Sequence, residues 1–256
     1  MIAFAGGRLN PRRWRAFENL TCLEETGSSN DLAREVIQLY FEEEQELSPS
    51  VFVAEGQPAA RGRRGHWVAP RGRGLYWTFV RRVEEGEPVS LMPIAVARWV
   101  RDAVQGATGV RVKLKWPNDL YAGRRKLGGI LTESFTQGEQ TRVAVGVGLN
   151  VLGSAKSLGV PRATTLEEEA GRPFALAPLL QKVLDRLDAE LSVQRWESEV
   201  GKWESASLHR PGDRLTVRRD GGELTGEYLG LSREGFLRLK TDSGEAVLAN
   251  GEVLEW

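Results

Sequence analysis

Residues 141–151 read TRVAVGVGLNV, and their side chains are sorted by size with a period of two. The odd positions from 143 to 151 carry only valine or leucine, whereas the even positions carry Ala144, Gly146, Gly148 and Asn150. This alternation is typical of a β-strand that buries one face in an apolar layer. Glycine weakens a strand, so the bare face predicts that something packs closely against it. A ligand and a closely packed helix both fit this pattern.

The segment before this strand, residues 111–134, predicts a hairpin. It reads RVKLKWPNDLYAGRRKLGGILTES, in which apolar and basic residues alternate as far as Trp116. Pro117 ends that strand, and the glycine-containing run at 121–125 is a turn signal. The hairpin either brings polar side chains together at a site or is an exposed edge with solvated charges. The residues concerned are Lys115, Asn118, Asp119 and Lys126.

Residues 57–74, QPAARGRRGHWVAPRGRG, form a basic loop. The loop contains five arginines and no acidic residue, although the whole chain balances 35 basic against 35 acidic residues. Glycines allow a backbone to approach a ligand closely, and guanidinium groups match phosphate and carboxylate oxygens. The loop lies between strand-like runs at 51–54 and 75–80, which favours a flap that folds over a pocket. Binding of the loop to a nucleic-acid backbone is the alternative interpretation.

The segment TGSSN at 26–30 predicts the beginning of a helix. Ser28 and Asp31 have the spacing of a capping box, and an apolar stripe at helical spacing follows them. The stripe consists of Leu32, Val36, Leu39 and Tyr40. The two serines either cap the helix or bind a polar ligand at its N-terminus.

The remaining sequence predicts further helices and a β-rich end. Helices are expected at 91–104 and at 178–205. From His209 onward, short β-like runs alternate with turns such as RPGD, DGG and DSG. We therefore predict a first domain over residues 1–207 and a small β-barrel over residues 208–256.

Bulk properties narrow the function classes. The chain has 256 residues, a hydrophobic content of 41% and zero formal charge, which argues against a dedicated nucleic-acid binder. No apolar run reaches the roughly 18 residues of a membrane span, so we expect a cytoplasmic protein without a membrane partner. One cysteine and two histidines argue against a disulfide and against a Cys/His metal site.

Taken in order, five motifs resemble those of the biotin protein ligases. They are TGSSN, EGQPAARGRRGHW, KWPNDLY, RKLGGILTE and GVGLNV, and the similarity runs from about Thr26 to the end of the chain. The resemblance implies an α+β fold. Its parts are a mixed-sheet catalytic domain, related to class II aminoacyl-tRNA synthetases and lipoate ligases, and an SH3-like C-terminal domain.

The same resemblance implies a biotin-[acetyl-CoA-carboxylase] ligase. Such an enzyme forms biotinyl-5′-AMP from biotin and ATP, with Mg²⁺ delivered by ATP, and transfers biotin to a lysine of a biotin carboxyl carrier protein. Family members that also act as repressors carry an N-terminal helix-turn-helix domain. We expect this chain to lack that domain and to have no DNA partner. A homodimer through the sheet edge is expected by analogy.

Residue roles follow from the resemblance by position. The residues implied to bind biotin are Ser28, Ser29, Asn30, Gln57, Arg61, Lys126 and Gly129. Those implied on the nucleotide side are Arg63, Trp67, Lys115, Asn118 and Asn150. The implied catalytic residues are Lys126, Arg61, Arg63 and Asp119. The sequence departs from the family at Ala60, where glycine is usual, and at Ala163, where some relatives stack an aromatic ring on adenine.

This set of residues suits a reaction between two anions. A carboxylate must approach the α-phosphate of ATP, so compensating positive charge and a lid that excludes water matter more than a nucleophilic side chain. Asp119 is expected to act as a base or orienting group toward the acceptor lysine. Two other functions remain open. One is a lipoate or octanoate ligase on the same scaffold, and the other is a nucleic-acid-binding module that uses the basic loop.

Overall fold

The computed structural model describes residues 1–12, 14–63, 65–160, 162–193 and 195–255. Arg64 of the basic loop and Trp256 of the predicted C-terminal domain lie outside the described residues. The strands are β1 (Ile2–Phe4), β2 (Gly7–Leu9), β3 (Asn19–Glu25), β4 (Ser50–Gly56), β5 (Arg61–Gly62), β6 (Gly65–His66), β7 (Gly74–Arg82), β8 (Lys113–Lys115), β9 (Asp119–Ala122), β10 (Arg125–Gln137), β11 (Gln140–Asn150), β12 (Arg214–Arg219), β13 (Gly222–Leu231), β14 (Leu237–Thr241), β15 (Gly244–Leu248) and β16 (Glu252–Glu255).

Helices connect these strands. The α-helices are α1 (Ser29–Glu42), α2 (Met92–Thr108), α3 (Ala155–Leu158), α4 (Leu166–Ala170), α5 (Leu176–Val193) and α6 (Glu199–Ala206). Short 3₁₀ turns precede α2 and α6, at Val89–Leu91 and Trp196–Ser198. No helix in the described part of the chain is long and apolar enough to cross a membrane.

A seven-stranded mixed sheet forms the larger layer of the protein, in the order β3-β4-β7-β11-β10-β9-β8. β3 and β4 are parallel, and the other neighbouring strands are antiparallel. β8, β9 and β10 form the predicted hairpin segments next to β11. The mixed-sheet α+β fold predicted from the sequence is confirmed.

The two faces of β11 differ as the sequence predicts. Val143, Val145 and Val147 lie in the main apolar core together with residues of α2 and α5. Ala144, on the opposite face, packs in a smaller cluster with residues of α1. The central strand therefore separates a thick apolar layer from the face on which α1 lies.

Helix α1 is rotated relative to the predicted apolar stripe. The residues that it buries are Ala33, Ile37 and Phe41, whereas Leu39 is 53% exposed. Counting back by four from Ala33 gives Ser29, which is also buried. The inward face thus runs from Ser29 to Phe41, with Leu32, Val36 and Tyr40 partly buried beside it, and the predicted stripe is wrong at Leu39.

Two further predictions need correction. The helix predicted at 178–205 is two helices, α5 and α6, because the chain turns at Trp196, whose ring lies 5.7 Å from that of Trp99. The C-terminal strands form one antiparallel sheet in the order β15-β14-β13-β12-β16, and its edge strands β15 and β16 are not paired with each other. The predicted SH3-like barrel is therefore not closed.

The C-terminal sheet packs on the first part of the chain through apolar contacts. Val217, Leu239 and Val253 belong to the same continuous core as Trp116. The indole Nε1 of Trp116 also donates a hydrogen bond to the carbonyl of Gly235, at 3.0 Å. The boundary between residues 207 and 208 stays a prediction.

Candidate active site

A cleft of about 290 Å³ lies where the basic loop crosses β10 and β11 near the beginning of α1. Every site residue expected from the sequence lines this cleft except Asn150. Those residues are Ser28, Ser29, Asn30, Gln57, Arg61, Arg63, Trp67, Lys115, Asn118, Asp119, Lys126 and Gly129. The C-terminal sheet contributes Glu252 and Val253 to the same wall.

The N-terminus of α1 is capped by the basic loop and not by a serine side chain. Ser28 is the N-cap residue by backbone geometry, yet its hydroxyl makes no capping hydrogen bond. Instead, the backbone N–H of Ser29 donates to Oε1 of Gln57 at 2.5 Å. Asp31, expected to complete a capping box, pairs with Arg34 and Arg61. The capping-box prediction is wrong because an amide from another segment takes that place.

Hydrogen bonds connect the polar residues on this side of the cleft. The hydroxyls of Ser29 and Thr78 lie 2.7 Å apart, and the Thr78 hydroxyl donates to Oδ1 of Asn30 at 2.8 Å. The amide Nδ2 of Asn30 donates to Oε2 of Glu133 at 2.7 Å. We call Ser28, Ser29, Asn30 and Gln57 the neutral half of the cleft; Thr78 does not line it but bonds to two of these residues.

The bare face of β11 is the floor under these residues. A Cβ atom at Gly146 would lie 1.8 Å from Oδ1 of Asn30, and one at Gly148 would lie 2.7 Å from Nε1 of Trp67. Real Cβ atoms do not approach other atoms this closely, so both glycines make room for side chains that lie on the strand. The packing partner predicted for this face is therefore, in part, the first turn of a helix and, in part, the basic loop.

The two described arginines of the loop tip contact different parts of the molecule. Nε of Arg61 donates to Asp31 at 2.9 Å, and its Nη2 donates to Glu133 at 3.1 Å. Nη1 of Arg63 donates to the carbonyl of Gly251 at 3.1 Å and lies 3.4 Å from Oδ1 of Asn118. The loop is thus tied to α1 and β10 by one arginine and to the C-terminal sheet by the other.

Opposite the neutral half, two lysines lie near Asp119. Nζ of Lys126 lies 2.7 Å from Oδ1 of Asp119 and 5.5 Å from the centre of the Trp67 ring. Nζ of Lys115 lies 3.4 Å from the hydroxyl of Tyr121. Burial lowers the pKa of Lys115 to about 8, although the charge of Asp119 opposes that shift. We call Arg63, Lys115, Asp119 and Lys126 the charged half of the cleft.

Asn150 does not reach the cleft. Its Nδ2 donates to the carbonyl of Thr164 at 3.1 Å, so it supports the segment that follows α3. That segment holds Lys126 through backbone bonds, because the Lys126 N–H donates to Arg162 and the Thr164 N–H donates to Lys126. Ala60 lines the cleft, and Ala163 is buried beside the Lys126 backbone.

Several cleft contacts were not expected from the sequence. Thr78 is the one aliphatic polar residue in the otherwise apolar and aromatic run LYWTFV, and this contrast could have drawn attention to it. Glu133 and Glu252 gave no signal, because their contacts depend on how β10 and β16 approach the loop. Across the described ranges, no group of three or more His, Cys, Asp or Glu side chains is placed to hold a metal ion.

The chain is similar in sequence and structure to known proteins. Residues 27–150 match the Biotin/lipoate A/B protein ligase family. A biotin--[acetyl-CoA-carboxylase] ligase of Paracoccus denitrificans is 33% identical over 220 residues, covering 81% of this chain and 91% of that protein. The chain belongs to the biotin/lipoate A/B protein ligase family.

Other family members differ in length. The bifunctional ligase/repressor BirA of Escherichia coli is 28% identical over 210 residues, and the match covers 78% of this chain but 64% of that protein. Among solved structures, a biotin protein ligase from Aquifex aeolicus in complex with biotin and ATP superposes with a TM-score of 0.74. It is 29% identical, and the alignment covers 93% of this chain and 98% of the Aquifex chain.

Proposed function

We propose that this protein is an ATP-dependent biotin protein ligase. It would form biotinyl-5′-AMP and transfer biotin to a lysine of a biotin carboxyl carrier protein. Its family and the ligands named for the Aquifex structure support this proposal. The observation that carries it is the division of one cleft into a neutral half and a charged half, which matches a ligand with an uncharged ring and an anionic end.

The neutral half suits the ureido ring of biotin. Oε1 of Gln57 is occupied by the Ser29 N–H, and no described residue accepts a hydrogen bond from its Nε2. Nε2 therefore remains available as a donor, and both Gln57 and Ser28 line the cleft. A ligand without matching polar atoms would leave these groups unpaired, which costs about 1–3 kcal/mol for each buried group. Binding of a lipoyl or octanoyl chain would therefore be less favourable by that free energy.

The charged half suits the reaction of two anions. The carboxylate of biotin and the α-phosphate of ATP repel each other, and cations fixed before the reaction lower that barrier. Lys126 and Lys115 line one wall, and Arg63 approaches from the basic loop. Mg²⁺ would arrive with ATP. Mg²⁺ neutralises phosphate charge when it is bound.

Asp119 is the carboxylate proposed for the second half-reaction. Its Oδ1 accepts from Lys126, and a Cβ atom at Gly129 would lie 3.3 Å from the same oxygen. The absence of a side chain at Gly129 thus leaves space beside the carboxylate. An acceptor amine in that space would give its proton to Asp119 or be oriented by it before it attacks the adenylate.

The basic loop would protect the adenylate from water. A mixed anhydride hydrolyses readily, so the site must close while the intermediate waits for its acceptor. The contacts of Arg61 and Arg63 on opposite sides of the cleft support such a closed position. A cytoplasmic location, a homodimer and the absence of a DNA partner stay predictions.

Pyrophosphate exchange tests the proposal directly. With ATP present, biotin should support exchange of labelled pyrophosphate, and lipoate and octanoate should not. Exchange with lipoate alone would favour the second family activity. Nucleic-acid binding that weakens steeply with salt, without AMP formation from any acid, would contradict both ligase functions.

A further inference from the structure

The hydroxyl group of Ser29, a residue of the cleft wall, contacts the hydroxyl group of the buried Thr78. The two oxygens lie 2.7 Å apart, and from this distance alone either could be the donor. Thr78 is on β7 and does not line the cleft. Because a hydroxyl group has one proton and two lone pairs, the direction of this bond decides whether Ser29 can donate to a ligand or accept from it.

The orientation of the Asn30 amide is fixed by acceptors on β10. Its Nδ2 donates to Oε2 of Glu133 at 2.7 Å and to the carbonyl of Leu131 at 3.3 Å. A carboxylate oxygen and a carbonyl oxygen accept hydrogen bonds and cannot donate them, so the amide nitrogen must face this pair. The amide oxygen Oδ1 of Asn30 therefore faces Thr78, at 2.8 Å.

The Asn30 amide in turn fixes the hydroxyl protons of Thr78 and Ser29. Oδ1 of Asn30 has no proton, so Thr78 must donate in their contact. Thr78 has then used its only proton and can meet the Ser29 hydroxyl only as an acceptor. Ser29 must donate to Thr78, because two oxygens 2.7 Å apart with no proton between them would repel each other. The lone pairs of Ser29 are thus left to accept a hydrogen bond.

The network is enclosed by regular secondary structure. Ser29, Asn30 and Thr78 are 4%, 4% and 0% exposed, so little water competes for the bonds between them. A Cβ atom at Gly146 would lie 1.8 Å from Oδ1 of Asn30 and 3.2 Å from the Thr78 hydroxyl, so this glycine makes the arrangement possible. These four residues belong to α1, β7 and β11. The proton directions therefore do not depend on the position of the basic loop.

We propose that Thr78 is a positioning residue that makes the Ser29 hydroxyl an acceptor toward the ligand. The ligand must then present a donor to Ser29, and each N–H of a cyclic urea is such a donor. This effect on specificity rests on the proposed ligase function, whereas the direction of the protons does not. Discrimination between ring types thus depends on a residue that does not line the cleft.

Neutron diffraction from crystals of the fully deuterated, ligand-free protein tests the proton directions. We expect the hydroxyl deuterium of Thr78 to point to Oδ1 of Asn30, and that of Ser29 to point to Thr78. The wild-type protein is used, so the result does not depend on whether a variant folds. A Thr78 deuterium that points to Ser29, or a Ser29 deuterium that points away from Thr78, would overturn the proposal.

Two analogues of biotin test the effect on specificity by calorimetry. In each analogue, oxygen replaces one ureido N–H, which exchanges a donor for an acceptor and gives a cyclic carbamate. The wild type should bind at least one carbamate about tenfold more weakly than biotin. In Thr78→Val the Ser29 hydroxyl loses its acceptor and can turn toward the ligand. That preference for biotin should therefore fall about three- to tenfold, the range of one neutral hydrogen bond.

Two control variants separate the hydroxyl of Thr78 from its packing. Thr78→Ser keeps the hydroxyl and should keep the wild-type preference. Thr132→Val is the matched control and should keep it too, because the Thr132 hydroxyl is buried and has no hydrogen-bond partner among the described residues. Thermal unfolding establishes that each variant is folded.

The outcomes separate the proposal from the ligase function. An unchanged preference in folded Thr78→Val, or an equal loss in Thr78→Val and Thr78→Ser, would overturn the role of the hydroxyl. Equal binding of biotin and both carbamates to the wild type would overturn it as well. If Thr78→Val does not fold, the wild-type preference and the deuterium positions decide. If the wild type does not bind biotin, the proposed function fails, while the deuterium positions still decide the proton directions.

Discussion

Most polar atoms of the neutral half are bonded within the protein, with Nε2 of Gln57 left as a donor, whereas the charged half keeps two lysines close to Asp119. Ser29, Thr78 and Asn30 are linked by hydrogen bonds. Lys126 pairs with Asp119, and burial lowers the pKa of Lys115. The difference indicates that one half is prepared for a neutral ring by fixed geometry. The other half holds positively charged groups that would attract an incoming anion.

The largest effect is expected from removing the central cation of the charged half. Lys126→Ala should reduce the rate of adenylate formation by about 10²–10³-fold, the scale of losing one fixed group that stabilises developing charge. Pyrophosphate exchange with biotin measures this step. Biotin binding measured by calorimetry should change much less, because the neutral half is intact. An unaltered exchange rate would remove Lys126 from the reaction.

A smaller effect is expected from filling the floor of the neutral half. In Gly146→Ala the new Cβ would meet Oδ1 of Asn30, so Asn30 must move away from Thr78 and Glu133. Overpacking of this kind costs about 1–3 kcal/mol of unfolding free energy. Urea unfolding measures that cost, and calorimetry should show weaker biotin binding.

Gly106→Ala is the matched control for this variant. Gly106 lies in α2, and a Cβ atom there would meet nothing within 4 Å. This substitution should stabilise the protein by about 0.5–1 kcal/mol, because alanine loses less backbone entropy in a helix than glycine does. Biotin affinity should be unchanged. If Gly146→Ala is as stable as Gly106→Ala, the floor is less closely packed than the Asn30 contact indicates.

The contrast between the halves also marks what the sequence can predict. The alternation of large and small residues in β11 correctly predicted which residues lie on each of its two faces, because this pattern depends only on the strand itself. The α1 stripe was wrong at Leu39, because the buried face of the helix begins with the polar residues Ser29 and Asn30. Local spacing describes apolar burial well, but it cannot reveal which polar residues are buried by contacts with other segments.

The cleft residues were predictable where they lie within motifs and not where they depend on tertiary contacts. Lys115, Asp119 and Lys126 come from one hairpin, so their convergence follows from short-range geometry. The contacts of Glu133 require that β10, α1 and the basic loop meet, which no local pattern encodes. Asn150 lies at the end of the correct strand face, yet Thr164 uses its amide.

A moderate effect is expected from releasing the basic loop on its C-terminal side. Arg63→Gly removes the bonds to Gly251 and Asn118. Adenylate synthesis should continue, while release of the adenylate should become about tenfold faster, as for loss of a charge-assisted bond. A trapping assay with excess unlabelled biotin measures release. Arg71→Gly, at the far end of the loop and paired with Glu24 and Glu55, should release adenylate at the wild-type rate.

The smallest effect is expected from changing the pH, and it concerns the charged half alone. Lys115 has a lowered pKa of about 8, so its ammonium group is charged below that pH and loses its proton above it. ATP is an anion and favours the charged form. We therefore expect the affinity for ATP to fall about three- to tenfold between pH 7 and pH 9, with proton uptake on binding near pH 8. Biotin affinity should stay constant over this range.

Two substitutions at one position assign this pH dependence. Lys115→Arg keeps a charge that does not titrate in this range, so its ATP affinity should vary little with pH. Lys115→Met has no charge at any pH, so it should bind ATP at all pH values about as weakly as wild type does at pH 9. Calorimetry in buffers of different ionisation enthalpy measures both affinity and proton uptake. The two variants represent the charged and the neutral form of residue 115. If the ATP affinity of Lys115→Met still falls with pH as steeply as that of the wild type, another group in the cleft causes the pH dependence.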